Sequence, residues 1–194
     1  MIDPANLHNI RLAHQQNQVL DELTVTSVQV DFRSDDGEWS RAPARQFLDV
    51  QPKIAVLPYD PYVNAVALIE NLHIGMIKQA GGPWQLELPY HPIIPNQPHE
   101  LAAQKALFGN VDAEGLDFEF IGDFYTTPHF SNEKIYLYCA GIDSNEMQKQ
   151  SQQVLLPLQE VEDALLGNYF QNSTIILSLY WLIANADRLQ KKWR

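Results

Sequence analysis

Six histidines, one cysteine and a few acids set among apolar residues are the groups in this chain that could do chemistry. The histidines are His8, His14, His73, His91, His99 and His129, and no HxH or HExxH spacing occurs. A motif placing two imidazoles on one transition-metal ion is therefore not visible. Cys139 is the single cysteine; it lies in an apolar stretch and reads as a small buried hydrophobe. Its solitude also excludes a disulfide framework. No serine sits in a nucleophile-elbow pattern. Gly81 and Gly82 precede Pro83 and Trp84 with no helix behind them, which is a turn and not a phosphate loop. Glu87 alternates with Leu86 and Leu88, so on a strand it faces away from both. Trp84 reads as a core or interface residue, with the border of a base pocket as its functional alternative.

The 194 residues carry 13 Lys+Arg against 24 Asp+Glu, a net charge of −11. That balance argues against a nucleic-acid binder, which needs cations to displace phosphate counterions. It argues equally against adhesion to anionic lipid. Hydrophobic residues make up 45%, enough for a core without staples. No segment reaches the roughly 18 apolar residues of a membrane span, and the N-terminus has no apolar signal region. The expectation is a soluble, cytoplasmic protein.

The elements that would position these groups follow from pattern. Asp3-Pro4 looks like a helix start, and the first 20 or so residues are expected to be helical. Residues 23–32 alternate and are β-branched, residues 34–37 are turn chemistry, and residues 39–48 return, with Pro43 marking an edge or bulge. Strands are expected at 53–57, 65–69, 84–88, 118–125, 135–140 and 154–156, with a turn at 58–61 and an amide-rich linker at 145–153. Helices are expected at 98–108, capped by Asn96 and stopped by Gly109-Asn110, at 158–166 before Gly167, and at 173–193. Strands outnumber helices and most connections are too short for βαβ crossovers, so the class is mixed α+β.

Several blocks, in order, resemble the Nudix hydrolases of the ADP-ribose pyrophosphatase type. They are IAVLPYD at 54–60, ALIENLH at 67–73, PWQLELP at 83–89, PHELAAQKAL at 98–107, FYTTPHFSNE at 124–133 and the closing helix near 175–182. The resemblance implies a Nudix-type α/β/α sandwich with a mixed central sheet at residues 49–194. Before it, residues 1–48 would form an N-terminal extension and β-hairpin. In that family the hairpin helps form a homodimer and part of an adenine pocket, and residues 25–48 match its position.

The Nudix box, G-x5-E-x7-R-E-U-x-E-E-x-G-U, sets carboxylates at i, i+3 and i+4 on one helix face. There they hold hard divalent ions, normally magnesium, which neutralise a diphosphate and help activate water. Aligned on Ala102-Ala103, this chain has His91 for the first Gly, Gln97 for the next Glu and Lys105 for the Arg. Ala106, Gly109 and Asn110 stand where the three metal-binding Glu residues would be. Elsewhere the resemblance places Glu133 where a Glu assists water attack, and Glu87 at an acid just before the box. It puts His73 at a usual Arg, and His91 and His129 at glycines beside the cleft. The expected site is therefore Glu133 as the catalytic candidate, with Glu87, His91, Lys105, His129, His73 and Trp84 around a ligand cleft and no metal ligand. The expected function is a dimeric homologue that binds a nucleotide-like small molecule, or has a structural or regulatory role, with little or no hydrolysis. The alternative is a divergent hydrolase of ADP-ribose or a similar nucleoside-diphosphate derivative, and only then a magnesium enzyme.

Overall fold

A computed structural model describes residues 9–21, 23–147 and 152–194. The chain divides into two units: Met1–Gln51 with Tyr125–Glu133, and Pro52–Phe124 with Lys134–Arg194.

The first unit is a four-stranded antiparallel sheet of β1 (Ile10–Leu20), β2 (Leu23–Arg33), β3 (Trp39–Arg41) and β4 (Arg45–Asp49). β1 corrects the sequence reading, which expected a helix there; residues 1–8 of that expectation lie outside the described residues. Segment 10–20 has too thin an apolar face for a helix to bury, and β2 offers it a full ladder from Ile10↔Phe32 to Leu20↔Leu23. The expected return strand is split, as Pro43 required. β3 and β4 both pair with β2 on either side of the break. Asp31, 5% exposed, is clasped by Arg41 at 2.8 Å and Arg11 at 3.1 Å, and the Arg11 guanidinium lies over Trp39. The side-chain hydrogen bond from Arg41 is the main force holding the Asp31 carboxyl below its usual range. Segment 125–133 belongs to the same unit. Leu48 donates to the Phe130 carbonyl, and Asn132 holds Asp49 at 2.6 Å.

The second unit is a three-layer α/β/α sandwich. Its mixed sheet runs β11-β6-β5-β10-β9, with β7 beside β6 and β8 beside β5. The strands are β5 (Lys53–Asp60), β6 (Ala65–Leu72), β7 (Trp84–Glu87), β8 (Tyr90–Pro92), β9 (Asp117–Tyr125), β10 (Lys134–Gly141) and β11 (Gln153–Pro157). β5 and β10 are parallel. Alternation sorts the core in two. Ala55, Leu57, Tyr59, Val66, Leu68, Leu137 and Cys139 pack under α2 (Leu158–Leu166) and α3 (Ser173–Trp193). Ile54, Val56, Ala67 and Ile69 face α1 (His99–Val111), which meets them with Ala102, Ala103, Ala106, Leu107 and Val111. The alanines let the helix approach the strands closely.

Most expected elements of this unit are present, and α2 and α3 have the expected limits. The turn expected at 58–61 begins later, because β5 runs through Pro58 to Asp60. Val56 donates its N–H towards Pro89. Two residues on, Pro58 faces the same side, in the gap between β8, which ends its pairing at Ala55, and β6, which begins at Tyr59. Its missing N–H therefore breaks no ladder bond. Asn96 does not cap α1; it sits in the left-handed region at φ 67, and Pro98 holds the cap position. Gly109-Asn110 do not stop the helix either. It continues to Val111 and ends at Asp112 in the left-handed conformation. Of the linker expected at 145–153, residues 148–151 lie outside the described residues.

Asp60 ties two loops of this unit together. Its wholly buried carboxylate accepts from Tyr62 N (2.8 Å), Ser144 N (2.9 Å) and Ser144 Oγ (2.6 Å). Burial alone would push this carboxyl up, but the hydrogen bonds outweigh it and hold it below its ordinary value. A carboxyl lowered by folding stabilises the native state above its unfolded pKa of about 3.9, and that gain is lost as pH falls through the folded value. Asp60→Asn is expected to cost about 1–3 kcal/mol at neutral pH. Urea titrations should show the deficit shrinking progressively below pH ~4.

Candidate functional site

The helix that the resemblance matches to the Nudix box is α1, and its composition decides what the site can hold. Ala106 is fully buried in the cluster against the sheet. Gly109 has no side chain, and a Cβ built there meets nothing within 4 Å. The Asn110 amide donates to the Ala106 carbonyl at 2.7 Å and to the Tyr90 carbonyl at 3.4 Å, fastening β8 to the helix. The next residue, His91, pairs with Ile54 on β5. Burial first, and then the nearby Lys105 ammonium, hold the His91 imidazole below its ordinary pKa. Lys105 itself is exposed. His91 and Lys105 are thus one group of the second unit.

Glu87 and His73 are another. In the β6–β7 hairpin Ile69 pairs with Glu87 and Asn71 with Gln85, so Ile69, Asn71, Gln85 and Glu87 share the α1 face of the sheet. Glu87 is 8% exposed, and its two oxygens meet Asn71 Nδ2 at 2.7 Å and His73 Nε2 at 2.9 Å. The imidazole contact has ion-pair distance without hydrogen-bond alignment, which leaves Nε2 buried and unbonded. Trp84 does not join them. It stands opposite Leu72 at the hairpin end and is 54% exposed, so the reading of it as a core residue is corrected. Cys139 is fully buried and its thiol is pushed well up by desolvation, as a structural cysteine should be.

Glu133 and His129 lie in the first unit. Glu133 Oε2 accepts from Thr126 Oγ1 at 2.9 Å, and its N–H donates to Ser131 Oγ at 3.0 Å. His129 lines a cleft of about 390 Å³ with Val28, Arg45, Phe47, Tyr125 and Asn132. Two aromatic rings, a guanidinium and an imidazole suit a flat, anionic ligand. Sequence reasoning named His129 but missed Arg45 and Phe47, which only the β2–β4 register sets beside Val28 and Thr26. It also missed Asn71 as the partner of Glu87, although the two-residue step from Ile69 was a usable signal.

Among the described residues no three His, Cys, Asp or Glu side chains are grouped closely enough to hold a metal ion. The donors at 106, 109 and 110 are a methyl, nothing and an already bonded amide, which do not fit a hard divalent cation.

No protein-family model matches the chain. The ADP-ribose pyrophosphatase of Haemophilus influenzae (strain ATCC 51907 / DSM 11121 / KW20 / Rd) is 21% identical over 184 residues, covering 89% of this chain and 85% of that protein. The crystal structure of an ADP compounds hydrolase matches with a TM-score of 0.69 at 18% identity, over 91% of this chain and 96% of the other. The fold is the Nudix-type sandwich, and the resemblance to ADP-ribose pyrophosphatases read from the sequence blocks extends over most of the chain.

The two helix positions should respond differently to the residue that the box would carry. Gly109→Glu enters open space and removes a helix-interior glycine, so it should leave stability unchanged or raise it by about 0.5–1 kcal/mol. Ala106→Glu places a carboxylate in a packed core and should cost about 2–4 kcal/mol. Denaturant midpoints of the two variants check the contrast.

Proposed function

We propose that this protein is a Nudix-fold binder of a nucleotide-like small molecule, with little or no hydrolase activity, and that it acts as a homodimer. The observation that carries the reading is the neutral face of α1, where Ala106, Gly109 and Asn110 offer no carboxylate. Metal-assisted diphosphate cleavage needs a site that binds the ion, offsets phosphate charge and activates water. Two acids that the resemblance singles out are otherwise engaged: Glu87 by Asn71 and His73, Glu133 by Thr126. The likeness to an ADP-ribose pyrophosphatase supports a ligand of the ADP-ribose kind, and the Arg45–Phe47–His129 cleft supports binding of a flat anionic group. A cytoplasmic location accords with the single buried thiol.

Calorimetry should detect ADP-ribose binding, while a phosphate-release assay with magnesium or manganese should stay near background. Robust metal-dependent turnover that disappears in Glu133→Gln would overturn the reading and favour a rebuilt site.

Dimerisation is supported by the open side of the N-terminal sheet. Ile10, Leu12 and Phe32 share one face through the Ile10↔Phe32 and Leu12↔Val30 pairs, and all three are exposed. Light scattering at tens of micromolar, an order-of-magnitude working range for specific dimers, should give twice the chain mass, and Phe32→Glu should halve it. A parent protein that scatters as a monomer would count against the dimer alone.

A further inference from the structure

We infer that the phosphates of a nucleoside-diphosphate-type ligand are held in the second unit directly by the side chains of Lys105 and His91, with no divalent ion between protein and phosphate. This rests on the binding reading above and deepens it. A helix face rich in carboxylates needs a metal to bridge its own negative charge to that of a diphosphate. Remove the carboxylates and the bridge loses its purpose, because nothing on the turn around Ala106 and Gly109 repels phosphate. What the same turn presents instead is an ammonium group.

The surroundings of Lys105 distinguish it from many other cations of the chain. Arg11, Arg41, Lys134, Arg188 and Lys192 are each held by a carboxylate. Lys105 makes no ion pair or hydrogen bond among the described residues. His91 pairs with Ile54 and so faces α1, the helix that carries Lys105. α1 is in contact with β8, Asn110 fastens the Tyr90 carbonyl to the helix, and β8 is locked to β5 at Ile54↔His91 and Ala55↔Tyr90. Two basic groups in one small region gain from an anion that satisfies both, and a phosphate accepts charge-assisted hydrogen bonds from each. The loop from β8 to α1 adds Gln97, whose amide nitrogen and oxygen are both buried without a hydrogen-bond partner. An unbonded buried amide is rare in native proteins. Here it lies in the segment joining His91 to the Lys105 helix, where its N–H2 is a further donor for an anion.

The test is calorimetry on the full chain, with ADP and inorganic pyrophosphate as probes, in EDTA and again in magnesium. ADP affinity should agree within about twofold between the two conditions. Lys105→Ala should weaken it about tenfold, the size of one charge-assisted contact, while Lys105→Arg should largely retain it. Added salt should weaken the parent more steeply than Lys105→Ala. Pyrophosphate should compete with ADP in EDTA. Lys105 is exposed, so coincident thermal melts will verify that the variants are folded. ADP bound only in magnesium would overturn the inference, as would undiminished binding by the Lys105→Ala, His91→Gln double variant; either leaves the binding reading standing. A parent that binds neither ADP nor ADP-ribose under either condition overturns both.

Discussion

The burial of β5 on both faces is the constraint from which the larger unit is built. Every residue from Ile54 to Asp60 is buried, so each side chain must be matched by an apolar layer on its own side. The strand cannot slip by one residue without exchanging the two layers. Ala55, Leu57 and Tyr59 commit one face to the long C-terminal helices, and Ile54 and Val56 commit the other to α1. A larger residue at 102, 103 or 106 would lift α1 from the sheet and loosen its hold on β8. The alanines are thus a packing requirement first. The chemical character of the helix follows from what stands on the remaining positions.

That character is unusual for a fold whose resemblance points to diphosphate chemistry. On α1 the charged residues Glu100 and Lys105 stand at exposed positions. Glu87, the acid nearest this helix in the sequence before it, is pinned by an amide and an imidazole. A carboxylate so enclosed is an anchor for the β6–β7 hairpin more than a free ligand.

Much of this was legible in the sequence, and the failures share a cause. α2 and α3 could be bounded to the residue because Gly167 and Asn172 are local signals and the apolar spacing between is regular. Segment 10–20 was not legible, because IRLAHQQNQVL has no period of its own and takes its conformation from β2. Gly109 was read as a stop on propensity. The cost of a helical glycine, about 1 kcal/mol, is outweighed by burying Leu107 and Val111 on either side of it. For the candidate site, the residue types at 105, 106, 109 and 110 could be read directly from the sequence. Which groups they meet did not follow from spacing. Asn71 reaches Glu87 across a strand pair, and Arg45 reaches its cleft through a register set by β2, so both depend on tertiary contacts between segments distant in the chain.

The division of the chain has a consequence for how the protein is made. The N-terminal sheet is completed by residues 125–133, which leave the ribosome only after most of the larger unit's strands. The larger unit in turn waits for β10, whose parallel pairing with β5 joins Ile135 to Lys53. The N-terminal unit cannot be complete before residue 133 has been made, nor the larger unit before β10 and the helices that follow it. During synthesis β5 and β6 must remain unsatisfied for a long interval, with their apolar faces open to chaperones or to wrong partners. Slow codons or pauses placed before residue 125 would lengthen that interval, and the yield of folded protein should be set there more than by the stability of the finished fold.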